Sequence, residues 1–454
     1  MLFTLPIVAP MEGSHASSWP GEQPSNQLDS EIHLFDTEHG PHVLVVNGSQ
    51  VYAFKDQNAA RSLVENEDLA AIASSLPETA TPRSLDYPPS EPQPLRALSL
   101  AIAQKCNLAC SYCYAREGDF GGEAKSMPLD VALAAVDHLF AGRGESDSVM
   151  LVFLGGEPLL NRSVLRATTN YAARLARQRR VRIAFSITTN GTLLTPEDGV
   201  FFETHGFAVS ISLDGIDETH DQLRAFKSGS GTFARIVANV RPLLAMQRRM
   251  QVSARVTVTP RNLALRHTLD SLIAMGFHTV GFSPLLASPS GRDQMNKQDL
   301  ASMLEQMIAC GREFERRVAA GERYPFANMV TALREIHLGA HRPYPCGAGN
   351  GYFGVSADGE LAACHRFVGD ERGAMGTLAT GVDRGFQANW LAARHIHCQE
   401  PCRSCWARYL CGGGCHHEVL ARGRPACDYI RGWLHYCLQA YVRLLAARPE
   451  YFGL

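Results

Sequence analysis

Between residues 97 and 320, short apolar runs alternate with longer segments that carry apolar residues at helical spacing. The short runs are typical of strands and lie at 98–103, 149–154, 182–188, 208–213, 251–258 and 279–283. The helical segments lie at 129–140, 163–178, 196–204, 231–247, 263–275 and 297–319. Apolar strands in alternation with helices predict an α/β fold with a parallel sheet covered on both faces. Six such units predict a partial (β/α)6 barrel whose chemistry lies at the C-terminal ends of its strands.

The chain before this barrel predicts a small unit of mixed α+β structure at residues 31–76. Its strand-like runs lie at 33–35, 42–46 and 51–54, and a helical segment follows over 59–75. Asn47-Gly48 lies between the second and third runs and is typical of a hairpin turn. A small sheet that is followed by one helix is therefore expected here.

The remaining segments complete the predicted organisation. Residues 1–30 are rich in Pro, Ser and Gly and predict a loose tail, and residues 77–94, with six prolines, predict a linker. The barrel then takes residues 95–322. Residues 323–454 predict a C-terminal domain. Beyond about residue 340 glycine, proline and cysteine dominate until a helix over 428–447, which indicates a small domain held together by metal.

The bulk composition narrows the possible classes. A net charge of −2 over 454 residues gives no general attraction to nucleic acid or to an anionic membrane, so neither is expected as a partner. No apolar stretch is long enough to span a bilayer, and the N-terminus lacks a basic segment before its apolar residues. We therefore expect a cytoplasmic protein. Thirteen cysteines in such a chain favour metal ligation over disulfide bonds.

The first cysteine group follows the first predicted barrel strand. Cys106, Cys110 and Cys113 form a Cys-x3-Cys-x2-Cys loop, which can hold three corners of one [4Fe–4S] cluster and leave the fourth iron without a protein ligand. An open iron can bind a substrate or cofactor. A structural zinc site is the alternative, but such sites need four ligands and no fourth is evident near this loop.

Later strands end in residues suited to a small polar ligand. The second ends in Gly155-Gly156-Glu157-Pro158, where adjacent glycines allow close backbone approach and the carboxylate can accept hydrogen bonds from an ammonium group. The third ends at Asn190, and the fourth in a segment that holds Ser212 and Asp214. Arg255, inside a later strand, is unusual in a buried sheet unless it meets an anion.

These motifs resemble those of radical S-adenosylmethionine (SAM) enzymes, in which Cys-x3-Cys-x-aromatic-Cys is followed by Gly-Gly-Glu-Pro. The resemblance covers residues 95 to about 320. It implies that Cys106, Cys110 and Cys113 hold a [4Fe–4S] cluster, that Tyr112 packs against the adenine of SAM, and that Gly155, Gly156 and Glu157 receive its amino group. The other residues that it implies in SAM contact are Asn190, Ser212 and Arg255.

The C-terminal cysteines resemble the seven-cysteine SPASM domain, which carries auxiliary [4Fe–4S] clusters. By that resemblance one cluster takes Cys346, Cys364 and Cys415, and the other takes Cys402, Cys405, Cys411 and Cys427. The first set has only three ligands, so its cluster either has an open iron or takes Cys398 or Cys437 as well. Cys310 is expected to be an inert buried thiol.

Two kinds of SPASM enzyme compete: maturases that make formylglycine in sulfatases, and maturases that cross-link ribosomal peptides. In sulfatase maturases an aspartate directly after the second SPASM cysteine acts as a base, and this chain has His365 at that position. That position, and the run over 115–122, are similar to thioether-forming maturases such as those of SCIFF peptides and quinohemoprotein amine dehydrogenase. The 31–75 unit resembles small domains that bind leader peptides by strand addition.

The resemblance implies a thioether-forming peptide maturase with a precursor peptide or protein as substrate and an electron donor such as flavodoxin or ferredoxin. His365 and Asp214 are the candidates for proton transfer. Formylglycine formation is the alternative reaction. An iron–sulfur electron-transfer or scaffold protein is the alternative of another class, but it would not need the amino-acid pocket that Gly-Gly-Glu-Pro indicates.

Overall fold

The computed structural model describes residues 31–54, 72 and 93–453. The predicted tail at 1–30, nearly all of the predicted helix at 59–75 and most of the linker at 77–94 lie outside the described residues. The described part begins with a three-stranded antiparallel sheet in the order β1-β2-β3. Its strands are β1 (Ile32–Thr37), β2 (Gly40–Val45) and β3 (Gln50–Ala53). All three strands of the predicted small unit are therefore present.

The predicted barrel is present as six parallel strands in chain order. They are β4 (Ala97–Gln104), β6 (Ser148–Gly155), β7 (Arg182–Thr189), β8 (Ala208–Ser212), β9 (Gln251–Val258) and β10 (Val280–Pro284), and a short β5 (Lys125–Ser126) pairs with β4. The helices are α1 (Leu129–Phe140), α2 (Arg162–Arg179), α3 (Pro196–His205), α4 (Asp217–Asp221), α5 (Phe233–Met246), α6 (Leu265–Ala274) and α7 (Lys297–Ala319). Each strand boundary lies within two residues of its prediction.

The two faces of this sheet differ, which corrects the expectation of a sheet covered on both faces. In β9 the even-numbered residues from Val252 to Val258 are buried, whereas the odd-numbered ones are at least partly accessible. Six of the twelve accessible positions of β7, β8 and β9 carry hydroxyl side chains, and another carries Arg255. One face therefore packs on the helices, and the other is the polar wall of an open interior.

The cysteine-rich region continues the barrel sheet. After α8 (Ala327–His337), strand β11 (Tyr352–Val355) pairs in parallel with β4, and the antiparallel strands β12 (Glu360–Ala362), β13 (Ala374–Thr377) and β14 (Gly381–Val382) extend it. The helices that follow are α9 (Arg384–Arg394), α10 (Arg408–Cys411), α11 (His416–Arg422) and α12 (Cys427–Ala447). Strand β11 belongs to the predicted C-terminal domain but pairs with β4 of the barrel. The predicted boundary between these two domains at residue 322 therefore stays a prediction. These short strands carry no pattern long enough to predict them.

The small N-terminal sheet packs against the C-terminal helix. Gln439 on α12 donates a hydrogen bond to the backbone carbonyl of Asp36 on β1 at 2.9 Å, so part of the outer edge of β1 is engaged. Among the residues that the structure describes, no helix is both long and apolar enough to cross a membrane.

Candidate functional site

The cysteine loop lies at the C-terminal end of β4, the position that the barrel predicts for chemistry. Cys113 donates its backbone N–H to the carbonyl of Cys110 at 3.2 Å, and this turn brings the thiols close enough to interact electrostatically. Glycines on two other segments crowd Cys106. A Cβ on Gly118 would lie 2.8 Å from the Cβ of Cys106 and 2.8 Å from the Cα of Gly156. The loop is therefore wedged against the predicted SAM pocket.

The thiols of this loop are suited to a metal. Burial raises the pKa of Cys106, and it raises the pKa of Cys110 to about 12. A thiol with so high a pKa becomes a thiolate at neutral pH only when a metal takes the place of its proton. The loop thus fits a cluster better than it fits a free nucleophilic cysteine.

Glu157 is fully buried and accepts three hydrogen bonds from the protein. The donors are the backbone N–H of Leu159 at 3.1 Å, the hydroxyl of Thr189 at 2.7 Å and the backbone N–H of Asn190 at 2.8 Å. Glu157 therefore ties β6 to the end of β7. Its predicted contact with the SAM amino group stays a prediction, as does that of Gly155, whose φ of 150° only glycine adopts easily.

Asn190 lies directly beside the cysteine loop. Its side-chain amide donates to the side-chain Oδ1 of Asn107 at 3.0 Å and lies 3.8 Å from the Sγ of Cys106. Ser212 and Arg255 are partners in the β8–β9 register and both belong to the accessible face of the sheet. The structure thus brings Asn190 to the loop, and it places Ser212 and Arg255 together on the interior wall.

Tyr112 and Asp214 form one buried network with a residue that the sequence did not point to. The hydroxyl of Tyr112 donates to a carboxylate oxygen of Asp214, and Arg224 donates to the same hydroxyl at 2.6 Å. The Asp214 carboxylate also accepts from the backbone N–H of Thr257 at 2.7 Å. Burial opposes the charge of Arg224, but the nearby Cys110 and Asp214 outweigh it and raise its pKa. A cation is thus fixed beside an anionic cluster site.

The second predicted auxiliary site is a cavity with about 590 Å³ of empty volume. Its walls include all four cysteines of one predicted set: Cys402, Cys405, Cys411 and Cys427. Cys415, from the other set, reaches its edge. Burial raises the pKa of Cys402 to about 11, which again favours a metal-bound thiolate. The structure therefore brings together the cysteines that the SPASM resemblance groups.

The other predicted set lies nearer the first cluster loop. Cys346, Cys364 and Cys415 interact electrostatically with one another, and burial raises the pKa of Cys364 to about 12. Cys437 cannot complete this set, because it is fully buried in α12 with its sulfur 4.0 Å from that of Met329. Cys398 has its own electrostatic neighbour, Tyr344. The structure thus brings Cys346, Cys364 and Cys415 together and leaves Cys437 out, and the open iron stays a prediction.

Cys310, expected to be inert, is fully buried in α7. Among the described residues, no three His, Cys, Asp or Glu side chains could hold a single metal ion between them. A zinc site needs such convergence, whereas each cysteine of a four-iron cluster binds a different iron. A cluster site therefore does not need such convergence, and cluster ligation by these cysteines stays a prediction.

Tyr114 and His365 occupy the space between the two regions. The ring of Tyr114 packs edge-on against His365 at 5.8 Å, and the guanidinium of Arg366 lies 5.3 Å from the Tyr114 ring centroid. His365 Nδ1 is 2.8 Å from the hydroxyl of Tyr352. Burial lowers the pKa of His365 to about 3, so its imidazole is neutral at neutral pH.

A cleft with about 1020 Å³ of empty volume opens beside these residues. Tyr114, Arg116 and Phe120 from the first cysteine region line one side, and Arg366 and His417 from the cysteine-rich region line another. The cleft therefore borders both the Cys106 loop and the Cys364 segment. The residues of its lining that are nearest in sequence to the two cysteine groups are Tyr114, next to Cys113, and Arg366, two positions after Cys364.

Comparison with known proteins agrees with this geometry. Residues 100–272 match the model of the Radical SAM superfamily, and this range holds the first cysteine loop, most of β4 and the strands from β6 to β9. Radical SAM proteins and their sulfatase-maturating members use SAM and [4Fe–4S] clusters, auxiliary clusters included, and these are the cofactors that the sequence predicted.

Particular relatives resemble the chain over most of its length. It is 25% identical to the serine-type anaerobic sulfatase-maturating enzyme of Klebsiella aerogenes over 78% of this chain and 86% of the relative. It is 26% identical to the cysteine-type enzyme of Clostridium novyi (strain NT) over 71% of this chain and 89% of the relative. The structure of native anSMEcpe with bound AdoMet matches 79% of this chain and 100% of its own, with a TM-score of 0.64 and 19% identity. This match confirms the α/β radical SAM fold.

Several residues of the site were missed from the sequence. Arg224 lies in a loop after a short helix, where no spacing signals it. Tyr114 directly follows Cys113, and Arg366 directly follows His365. This adjacency is the only signal in the sequence that could have identified them. The contact between them depends on the pairing of β11 with β4, which the sequence did not predict.

Proposed function

We propose that this chain is a radical SAM enzyme that modifies a peptide or protein and that its product is a thioether between a cysteine sulfur and a carbon of the same substrate. The observation that supports it most is the cleft that borders both the Cys106 loop and the Cys364 segment. A substrate held there lies between a site for radical formation and a site for a thiolate.

The residues of the first loop would hold a cluster and SAM, which together supply a 5′-deoxyadenosyl radical when one electron arrives. The electron comes from a donor such as flavodoxin or ferredoxin. Tyr112, held by Asp214 and Arg224, would flank the adenine of SAM. Arg224 keeps a positive charge beside the cluster site, which makes an added electron less unfavourable there.

The second loop would serve the substrate cysteine. Cys346, Cys364 and Cys415 leave one iron of their cluster open, and Cys346 is exposed. An open iron favours the deprotonated thiol that carbon–sulfur bond formation requires. Overall the substrate loses one hydrogen from a carbon and one from a thiol, so one electron must leave through an acceptor such as an auxiliary cluster.

The two candidates for proton transfer differ in their surroundings. His365 is neutral and packs against Tyr114, which lines the cleft. Asp214 is completely buried beneath Tyr112, and its carboxylate already accepts three hydrogen bonds, from Tyr112, Arg224 and Thr257. His365 is therefore the candidate nearer the cleft, where a pKa of about 3 makes it a weak base that can relay the thiol proton but not hold it, and we assign Asp214 to the positioning of Tyr112.

The small N-terminal sheet would bind the leader segment of the substrate. Because part of the outer edge of β1 is engaged by Gln439, we expect strand addition at β3. A leader bound there would tether the reacting segment and raise its effective concentration at the cleft.

Formylglycine formation is the second candidate, and the similarity to both serine-type and cysteine-type sulfatase-maturating enzymes favours it. Against it, position 365 holds histidine, whereas those enzymes are expected to have there an aspartate that acts as a base. The N-terminal sheet is a further feature that a thioether maturase would use.

One experiment separates the two reactions. Anaerobically reconstituted protein is incubated with SAM, a reductant and the cysteine-containing precursor peptide encoded beside its gene. Thioether formation predicts a peptide lighter by two hydrogens, about 2 Da, that no longer reacts with a thiol reagent. Formylglycine made from cysteine would instead remove sulfur from the peptide. An unchanged peptide, with SAM cleaved at the same time, would contradict both reactions.

A further inference from the structure

The N-terminal sheet makes its closest contacts with the segment that carries Cys402, Cys405 and Cys411. The carboxylate of Glu31 accepts a hydrogen bond from the guanidinium of Arg408 at 2.7 Å, and its backbone carbonyl accepts from the N–H of Val46 at 2.9 Å. Arg408 is 5% exposed and lines the four-cysteine cavity. The first residue before β1 thus reaches the wall of a cluster site.

A second contact is aromatic. The imidazole of His33, on β1, stacks on the indole of Trp406 with ring centroids 3.6 Å apart and planes 4° apart. Trp406 directly follows Cys405 in the chain. The same imidazole also contacts α12, because His33 Nε2 lies 2.9 Å from His435 Nδ1. Burial lowers the pKa of His33 to about 3, so the stacked ring is uncharged.

A third contact is apolar. Val46 follows β2 and packs in one buried cluster with Ile396, Cys402 and Tyr409. Three separate points of the small sheet therefore touch the chain around Cys402 and Cys405: an ion pair, a stacked ring and an apolar side chain. None of them lies on β3, where we expect the leader.

We propose that the N-terminal sheet packs against the outside of the chain around Cys402 and Cys405 and so holds the Cys402/Cys405/Cys411/Cys427 site in its ligating shape, although none of the described residues of the sheet lines the cavity itself. This role is distinct from leader binding. The lability of an iron–sulfur cluster and its potential depend on the surroundings of its ligands, so loss of this packing would change both. The cluster most affected is the one farther from the proposed substrate cleft.

The test uses the full-length holoenzyme and no peptide. The double variant Glu31→Gln/His33→Ala removes the ion pair and the stack, and Glu38→Gln/His39→Ala makes the same two changes on exposed residues of the same hairpin. Iron release to a chelator in air is followed by absorbance. The first variant is expected to release about four of its twelve irons about fivefold faster than the control variant.

Electron paramagnetic resonance provides the second measurement. The SAM-dependent change in the signal of the first cluster should be the same in both variants, whereas an auxiliary signal should change only in Glu31→Gln/His33→Ala. Equal iron release in the two variants would overturn the proposal, and so would equally faster loss from all clusters. If the double variant precipitates, Glu31→Gln alone decides the matter, with about twofold to threefold faster release expected. Because no peptide is present, a failure here is separate from any failure of the thioether proposal.

Discussion

At the scale of single residues, Glu157 illustrates how a motif can serve structure and chemistry together. Both of its carboxylate oxygens accept hydrogen bonds from the protein, three in all. A glutamine in its place would, in either orientation, turn an amide N–H group towards one of these donors. A buried donor left without an acceptor costs about 1–3 kcal/mol. The Gly-Gly-Glu-Pro sequence pointed to this residue, but not to the strand that it holds.

We predict that Glu157→Gln lowers the free energy of unfolding by about 2–3 kcal/mol and reduces SAM cleavage with it. Glu203→Gln is the matched control. Glu203 also accepts three hydrogen bonds, all from backbone N–H groups, but it lies far less deeply in the fold than Glu157. Urea unfolding under anaerobic conditions measures both variants. Equal losses in the two would show that burial at Glu157 is not the cause.

His220 predicts a pH dependence of stability. Its Nδ1 accepts the backbone N–H of Asp214 at 3.1 Å, and its Nε2 lies 3.0 Å from the hydroxyl of Thr232. Burial, and then the charge of Arg224, lower its pKa from 6.5 to about 3. The unfolded chain therefore binds an extra proton between these values, so the contribution of His220 to stability is present above pH 6.5 and is lost as the pH falls towards 3.

The expected result is that the wild-type chain loses about 1 kcal/mol more than His220→Gln between pH 7.5 and pH 5.5. The urea midpoint of each protein at the two pH values measures this difference. Parallel losses in both proteins would mean that His220 does not stay neutral in the fold.

At the scale of elements, the extension of the barrel by β11 places the second cysteine region. Gly354 on β11 faces the backbone of Cys364 and His365, and a Cβ there would lie 2.8–2.9 Å from three of their backbone atoms. Backbone cannot move aside as a flexible side chain does. The approach of β11 to the Cys364 turn therefore requires glycine.

We predict that Gly354→Ala displaces Cys364 and removes about four irons per chain while SAM cleavage without peptide continues. Peptide modification should fall about tenfold or more, because a small displacement of a reacting group has large effects on rate. Gly385→Ala is the control, since the nearest atom to its Cβ would be 3.5 Å away. Iron analysis and product mass measure the two effects. A full iron content in Gly354→Ala would refute this account of the turn.

The sequence predicted the barrel strands well because each has a clear hydrophobic pattern between helices. Cysteine spacing also predicted which thiols meet, since Cys402, Cys405, Cys411 and Cys427 line one cavity. The pattern could not show that one sheet face is polar and open, because Ser and Thr occur on either face of strands. Strands β12 and β14 have only two or three residues, too few for any periodicity. The contacts of Arg224 and His33 depend on tertiary packing and leave no local signal.

At the scale of the whole molecule, the proposed function uses three regions: the first cysteine loop, the cleft beside the Cys364 segment, and the four-cysteine site with the N-terminal sheet behind it. The cleft borders Tyr114, next to Cys113, on one side and Arg366, near Cys364, on another, and the N-terminal sheet packs behind the four-cysteine site. The order of these sites explains why the chain needs more than a radical SAM domain. Substrate choice would rest on the regions outside it.

The central claim is that Cys106, Cys110 and Cys113 make this chain cleave SAM by one-electron reduction. The most direct measurement is mass spectrometry of 5′-deoxyadenosine after anaerobic incubation of the reconstituted protein with SAM and dithionite. The wild-type chain is predicted to form 5′-deoxyadenosine and methionine, and a variant with all three cysteines changed to alanine is predicted to form neither while it keeps about eight irons. Absence of 5′-deoxyadenosine from the fully loaded wild type, or its undiminished formation by the triple variant, would contradict the claim.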